Sequence, residues 1–153
     1  MNKPKLLDLF SKAGGTSMGY YRAGFDVTGV DIKPQKRYPF TFILGDALEY
    51  LEAHWKEYDI IAASPPCQGY SITKSIHKND RHPKLIEKLR NILEATGKPY
   101  IIENVIGAPL VNPLMLCGTM FPGLRVYRHR LFECNPPLYF PPATCNHPFK
   151  MPA

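Results

Sequence analysis

Several features that would set this chain apart are missing. No apolar run approaches the roughly 20 residues that a bilayer-spanning helix needs. The start, "MNKPKLLDLF", is basic but reaches Asp8 too soon for a secretory leader. We therefore read the chain as intracellular and without a membrane partner. The four cysteines, Cys67, Cys117, Cys134 and Cys145, show no CxxC spacing and no regular framework. In a chain read as intracellular, that pattern fits reduced thiols. Cys145 and His147, taken with Cys134, are three candidate ligands at irregular spacing, and no metal site is expected from them. There is no P-loop lysine motif and no full GxGxxG pattern, which argues against a nucleoside triphosphate or a dinucleotide as ligand. No internal repeat is visible.

What is present is the makeup of one globular domain. The 153 residues suffice for a single core, with 44% hydrophobic and 21% charged residues. The net charge of +6 and the pI of about 9.2 suit a polyanionic partner. From Asn135 the chain is proline-rich, "NPPLYFPPATCNHPFKMPA", which argues against central strands. We divide the chain into residues 1–134, a catalytic domain, and 135–153, a tail.

Short apolar runs alternate with helix-compatible stretches. Strands are expected at 5–10, 26–32, 40–46, 58–64 and 99–105. Helices are expected at 15–24, 47–55 and 82–97, the last with Pro83 in its first turn and Gly97 at its stop. "RVYRHRLFE", 125–133, reads as one strand of a closing hairpin. The rhythm predicts an α/β fold around a parallel sheet. In such a sheet ligands bind beyond the carboxyl ends of the strands, at a topological switch point. The chemically suggestive residues fall there: Gly14 and Gly15 after the first strand, Asp31 ending the second, Asp46 after the third, Cys67 after the fourth, Glu103 ending the fifth.

Each of these has an ordinary alternative. The glycine pair serves any tight strand-to-helix turn. Asp46 opens a helix well as a cap. Cys67 serves as packing, and Glu103 as a strand end. As a set they favour a nucleoside site. Asp31, about twenty residues beyond the glycines, is placed for ribose hydroxyls. An adenosine cofactor without a pyrophosphate, such as S-adenosylmethionine, fits better than a dinucleotide.

The stretches "DLFSKAGGTSMGYYRAGF", "VDI", "GD", "SPPCQGYS", "ENV" and "RVYRHRLFE" occur in the order found in cytosine-C5 DNA methyltransferases. Residues 5–133 resemble that family. The resemblance implies a Rossmann-like class I S-adenosylmethionine-dependent methyltransferase fold: a mostly parallel sheet, helices on both faces and a C-terminal antiparallel hairpin. It implies that Phe10 packs on the adenine, and that Ala13, Gly14 and Gly15 line the methionine part. Asp31 would hold the ribose and Asp46 the adenine amino group, with Ala47 beside it. Ile32 would cover the adenine face, and Pro65 would lie near the cofactor. The nucleophile falls on Cys67 and the acidic partner on Glu103; Arg128 and Arg130 match the basic element, with Tyr127 in place of a glutamine.

These residue types suit methylation at carbon 5. A cysteine thiolate is a strong nucleophile and also leaves readily. A glutamate sharing a proton can bond N3, and an arginine can stabilise charge at O2. The expected partner is DNA with the target cytosine flipped out, in the cytoplasm of a prokaryotic or phage-infected cell. RNA as substrate and an inactive binding remnant stay open as alternatives. Two departures stand out. Lys12 replaces a glycine, with Ser11 where a cysteine is common. The tail is also too short for a full target-recognition domain, which makes it a truncated or minimal one, or leaves specificity to a separate C-terminal chain.

Overall fold

The computed structural model describes residues 2–67, 85–138 and 144–147. Seven strands form one sheet: β1 (Lys5–Leu9), β2 (Asp26–Asp31), β3 (Thr41–Leu44), β4 (Ile60–Ala63), β5 (Tyr100–Asn104), β6 (Leu114–Cys117) and β7 (His129–Asn135). Their spatial order is β3-β2-β1-β4-β5-β7-β6. Strands β1 to β5 pair in parallel, and β7 is inserted antiparallel between β5 and β6. The chain order reverses between β1 and β4, which makes their carboxyl ends the switch point. Among the described residues three α-helices connect the strands: α1 (Gly15–Arg22), α2 (Ala47–His54) and α3 (Leu85–Thr96). No described helix is long and apolar enough to cross a membrane.

The pleat sorts side chains to two faces. Leu7 and Leu9 of β1 pack with Leu48 and Leu51 of α2 and with Leu89 and Leu93 of α3. Leu6 packs the other way, with Val27, Ala62 and Tyr20 of α1. Helices thus cover both faces, as expected. The apolar residues of α3 recur at Ile86, Leu89 and Leu93 and are fully buried, the 3–4 spacing of one helical stripe. Gly24 follows α1 at φ 101° and Gly97 follows α3 at φ 65°, left-handed stops that glycine adopts without strain.

Most expected elements lie within a residue or two of those observed. The amino-terminal part of the third expected helix, 82–84, lies outside the described residues. The closing strand differs. It begins at His129 and runs to Asn135, so Arg125 and Arg128 belong to the preceding loop rather than to a strand. Its last residue also passes the expected domain boundary by one. β6 has no counterpart among the expected strands; its four residues carry too short a pattern to separate from a loop.

β7 is fastened by one buried ion pair. Glu133 is 3% exposed. Arg90 of α3 meets it with two bonds, Nε to Oε1 at 2.6 Å and Nη2 to Oε2 at 2.7 Å. The same guanidinium donates to the Pro109 carbonyl at 2.7 Å, and the Val111 amide donates to Glu133 at 2.7 Å. Bidentate pairing of this kind fixes geometry as well as energy. It sets α3, the 109–111 segment and the antiparallel strand in one arrangement.

Candidate active site

The loop after β1 is bent unusually. Phe10 has φ 60°, Lys12 φ 49° and Gly14 φ 84°. Left-handed backbone at non-glycine residues is costly and concentrates at functional sites. Gly14 cannot carry a side chain, since a Cβ there would lie 2.9 Å from the Tyr38 ring. The loop is tied to β2 through Asp31, which is 8% exposed. One Asp31 carboxylate oxygen accepts from the Lys12 amide at 3.0 Å and the other from the Lys33 amide at 2.9 Å. Beside it Ile32 stands out, 70% exposed.

The loop after β4 is tied to β5. Asn104, 2% exposed, donates from its side-chain nitrogen to the Pro65 carbonyl at 3.0 Å, and its side-chain oxygen accepts the Val105 amide at 2.9 Å. Neighbouring strand ends thereby bring "PPC" and "ENV" together. Next to them Arg130 of β7 pairs with Glu103 of β5, Nε to Oε1 at 2.8 Å, both side chains about a quarter exposed. Arg130 also donates to the His129 carbonyl at 2.9 Å.

A cavity of about 420 Å³ opens at this end of the sheet, within the range of small-molecule sites. Its lining includes Cys67, Glu103, Arg128, Arg130, Phe10 and Pro65. All four residues expected to carry chemistry therefore share one cavity with two expected to hold the cofactor. Asp31 and Ile32 are not in that lining; Asp31 is tied to it through the amide of Lys12, which is part of it. Gly15 opens α1, and no atom stands within 4 Å of where its Cβ would be; Ala13, just before the Gly14 cap, is exposed.

Two expected cofactor residues have structural duties. Asp46 caps α2, its Oδ1 accepting from the Leu48 amide at 2.8 Å and the Glu49 amide at 3.1 Å. The capping alternative is thus realised, whatever else the other oxygen does. Ala47 is 3% exposed and belongs to the core cluster under α2.

Asp8 lines the cavity too, though nothing in the pattern around it singles it out. It lies in a central strand, 1% exposed. Burial pushes its pKa up to about 6, against the opposing effect of the Ser17 hydroxyl, which donates to its carboxylate. Tyr38 in turn donates to Ser17 at 2.8 Å. Tyr38 lies over Gly29, where a Cβ would fall 2.2 Å from the tyrosine oxygen. The glycine of β2 therefore makes room for this chain of hydroxyls. Burial also pushes the Tyr38 hydroxyl up to about 12.

A family model described as "C-5 cytosine-specific DNA methylase" matches residues 4–111. The chain belongs to that family. It is 33% identical over 124 residues to the Type II methyltransferase M.XorII of Xanthomonas oryzae, covering 70% of this chain and 29% of that protein. It is also 33% identical over 121 residues to the Type II methyltransferase M.AquIA of Picosynechococcus, covering 67% of this chain and 49% of that one. The chain thus spans less than half the length of each of these relatives. In fold it is similar to Schizosaccharomyces pombe Dnmt2 methyltransferase, with TM-score 0.59 at 16% identity over 87% of this chain and 49% of that one. A SAM-dependent methyltransferase from Agrobacterium tumefaciens gives TM-score 0.56 at 17% identity, covering 87% and 56%. The C5-methylase match ends before β6, so the hairpin that supplies Arg128 and Arg130 lies beyond it.

A second group of side chains lies at the loop end of that hairpin: Cys117, His129, Cys145 and His147. The grouping departs from the expectation for this part of the chain. Cys134 is not in it; that residue pairs across the sheet with Ile101. Strand pairing, invisible in irregular spacing, supplies Cys117 and His129 instead.

Proposed function

We propose that this chain is the catalytic part of a DNA cytosine-C5 methyltransferase that uses S-adenosylmethionine and a covalent Cys67 adduct. One observation carries the reading: Cys67, Glu103, Arg128 and Arg130 line the same cavity as Phe10 and Pro65.

The residues present fit the cofactor. Each Asp31 oxygen is oriented by one backbone amide and keeps a lone pair for a ribose hydroxyl. Phe10 and the exposed Ile32 offer apolar surface for adenine. Asp46 keeps Oδ2, outside the cap, for the adenine amino group, and the Ala47 backbone lies beside it. Ala13, Gly14 and Gly15 would border the methionine part. S-adenosylmethionine supplies a methyl group on a sulfonium, an electrophile for carbon 5.

The chain's own residues act on the base. The Cys67 thiolate bonds to carbon 6 of a flipped-out cytosine, and the electron pair moves towards N3, making carbon 5 enamine-like. Glu103 shares a proton with N3, and Arg130 donates to O2, so the ring's charge is met by groups already paired in the cavity. After methylation a water molecule takes the carbon 5 proton, the electrons of that C–H bond restore the carbon 5–carbon 6 double bond, and the carbon–sulfur bond breaks so that the thiolate departs with its electron pair. Arg128, exposed at the rim, holds a phosphate near the base. We assign residues 1–134 to this catalytic domain and 135–153 to a minimal recognition region. That region contacts the bases next to the target, and a separate specificity chain reads those beyond. The setting is the cytoplasm of a prokaryotic or phage-infected cell, in keeping with relatives from bacteria.

The test is transfer of a labelled methyl group to cytosine-containing DNA and RNA, with the modified base mapped. We expect 5-methylcytosine in DNA and none with Cys67→Ser. Methylation of RNA alone, or turnover that survives the substitution, would contradict the proposal.

A further inference from the structure

Cys117, His129, Cys145 and His147 each offer one ligand atom, and all four atoms lie within 4.8 Å of one another. Cys117 ends β6 and His129 begins β7, and the two face each other on one rung of the hairpin. The tail supplies the other two. The Cys117 sulfur is 3.3 Å from His147 Nε2, the Cys145 sulfur is 3.3 Å from His129 Nε2, and the Cys145 sulfur is 3.0 Å from His147 Nε2. Zinc bonded to sulfur at about 2.3 Å and to nitrogen at about 2.0–2.1 Å in a tetrahedron sets sulfur–nitrogen edges of about 3.5 Å. These three sulfur–nitrogen separations lie inside that figure, and the four ligand atoms together span up to 4.8 Å.

We propose that these four residues form a structural zinc site that pins the tail to the β6–β7 hairpin. The donor set is two thiolates and two imidazoles, with no carboxylate among the described residues. Soft and borderline donors of this kind select zinc over magnesium or calcium. Four protein ligands leave no open position, so the ion is structural rather than catalytic. Thr119 stands where a supporting hydroxyl belongs, its oxygen 3.2 Å from the Cys117 sulfur and 3.8 Å from that of Cys145. Hydrogen bonds of this kind orient and stabilise metal-bound thiolates. The ligands also close the connection between β6 and β7, where a Cβ on Gly118 would fall 2.5 Å from the Val126 carbonyl oxygen.

The site has a consequence for the cavity beside it. His129 lies between Arg128 and Arg130, which both line the cavity. An ion on His129 fixes the first rung of β7 and therefore the positions from which both arginines reach. It also brings residues 144–147 to the end of the sheet where the cavity opens.

The intact chain, reconstituted with excess zinc and freed of unbound metal, should retain about one zinc per chain by elemental analysis, the stoichiometry of a closed four-ligand site. Cobalt(II) in its place should give the intense visible bands of a tetrahedral ion and a near-ultraviolet thiolate charge-transfer band. Cys145→Ser and His147→Ala, both in the tail outside the sheet, should lose the metal, and Cys134→Ser should keep it. A parent chain that retains no zinc overturns the proposal, as does an octahedral cobalt spectrum. Retention of zinc by Cys145→Ser and His147→Ala, or its loss from Cys134→Ser, does so too. None of these readouts depends on methyl transfer, and the cobalt spectrum of the parent stands even if a variant fails to fold.

Discussion

Lys12 carries a cost that a glycine would not. At φ 49° it holds a left-handed conformation worth roughly 1–2 kcal/mol against an L-residue, and a glycine returns part of that gain as unfolded-chain entropy. Lys12→Gly should therefore raise stability by roughly 0.5–1 kcal/mol in urea unfolding; a decrease would show that the lysine side chain has a role of its own. Asp31 is a stronger lever. Removing its charge-assisted bonds to a ribose, about 1.5–3 kcal/mol each, should weaken S-adenosylmethionine binding by roughly tenfold to several hundredfold in Asp31→Ala. Unchanged affinity by calorimetry would place the cofactor elsewhere. Asp8 sets a pH dependence. Its pKa is raised in the folded chain to about 6, above the unfolded value of about 4. Its favourable contribution is thus full below about pH 4 and is lost as the pH rises through about 6. Asp8→Asn should gain on the parent by roughly 2–3 kcal/mol between those limits; a difference in stability that stays flat with pH would remove Asp8 as the cause. Asp31, Cys67 and Glu103 could be found in the sequence because each closes an apolar run and they come in order. Asp8 could not, because a carboxylate inside a strand gives no sign of the Ser17 hydroxyl that reaches it from α1, itself held by Tyr38.

Among the elements, β7 joins the fold to the chemistry. One end carries Arg130 into the cavity, and the other carries Glu133 to Arg90. Removing one partner of a buried ion pair leaves an uncompensated charge and typically costs about 3–5 kcal/mol. Glu133→Ala should destabilise by that amount and also free the Val111 amide. A loss below about 1 kcal/mol, as for a surface pair, would mean that β7 is held by its ladder alone. The parallel strands and their helices were legible because periodicity switches between two and 3.6 along the chain. The hairpin was less so. Its basic "RVYRHR" begins in a loop, because Gly118 and Val126 must approach closely before the strand can start. The Asp46 cap shows the same limit: one residue type serves a helix end or a ligand, and only the bonds to Leu48 and Glu49 show which duty is in force.

Across the molecule the chain carries a net charge of +6, and two exposed arginines, Arg125 and Arg128, lie in the loop before β7. Binding to duplex DNA should be weak and fall steeply with salt, because phosphate contacts release counterions. Arg125→Ala should weaken binding to all sequences alike and reduce the salt slope by about one. Tight, salt-insensitive binding to one sequence would instead reveal a reading surface in this chain. The overall architecture could be anticipated from the order of elements, since an alternating strand–helix pattern admits few sheets. The approach of the tail to the hairpin could not, because its ligands lie on residues that only strand pairing brings together. The bond between Cys67 and the target base can be trapped. The chain is incubated with S-adenosylmethionine and DNA carrying 5-fluorocytosine, whose fluorine cannot leave carbon 5 as a proton does, so the adduct is trapped. Mass spectrometry of the digested product should place the methylated base on Cys67; an adduct on Cys117, Cys134 or Cys145, or methyl transfer that leaves no adduct, would contradict the mechanism.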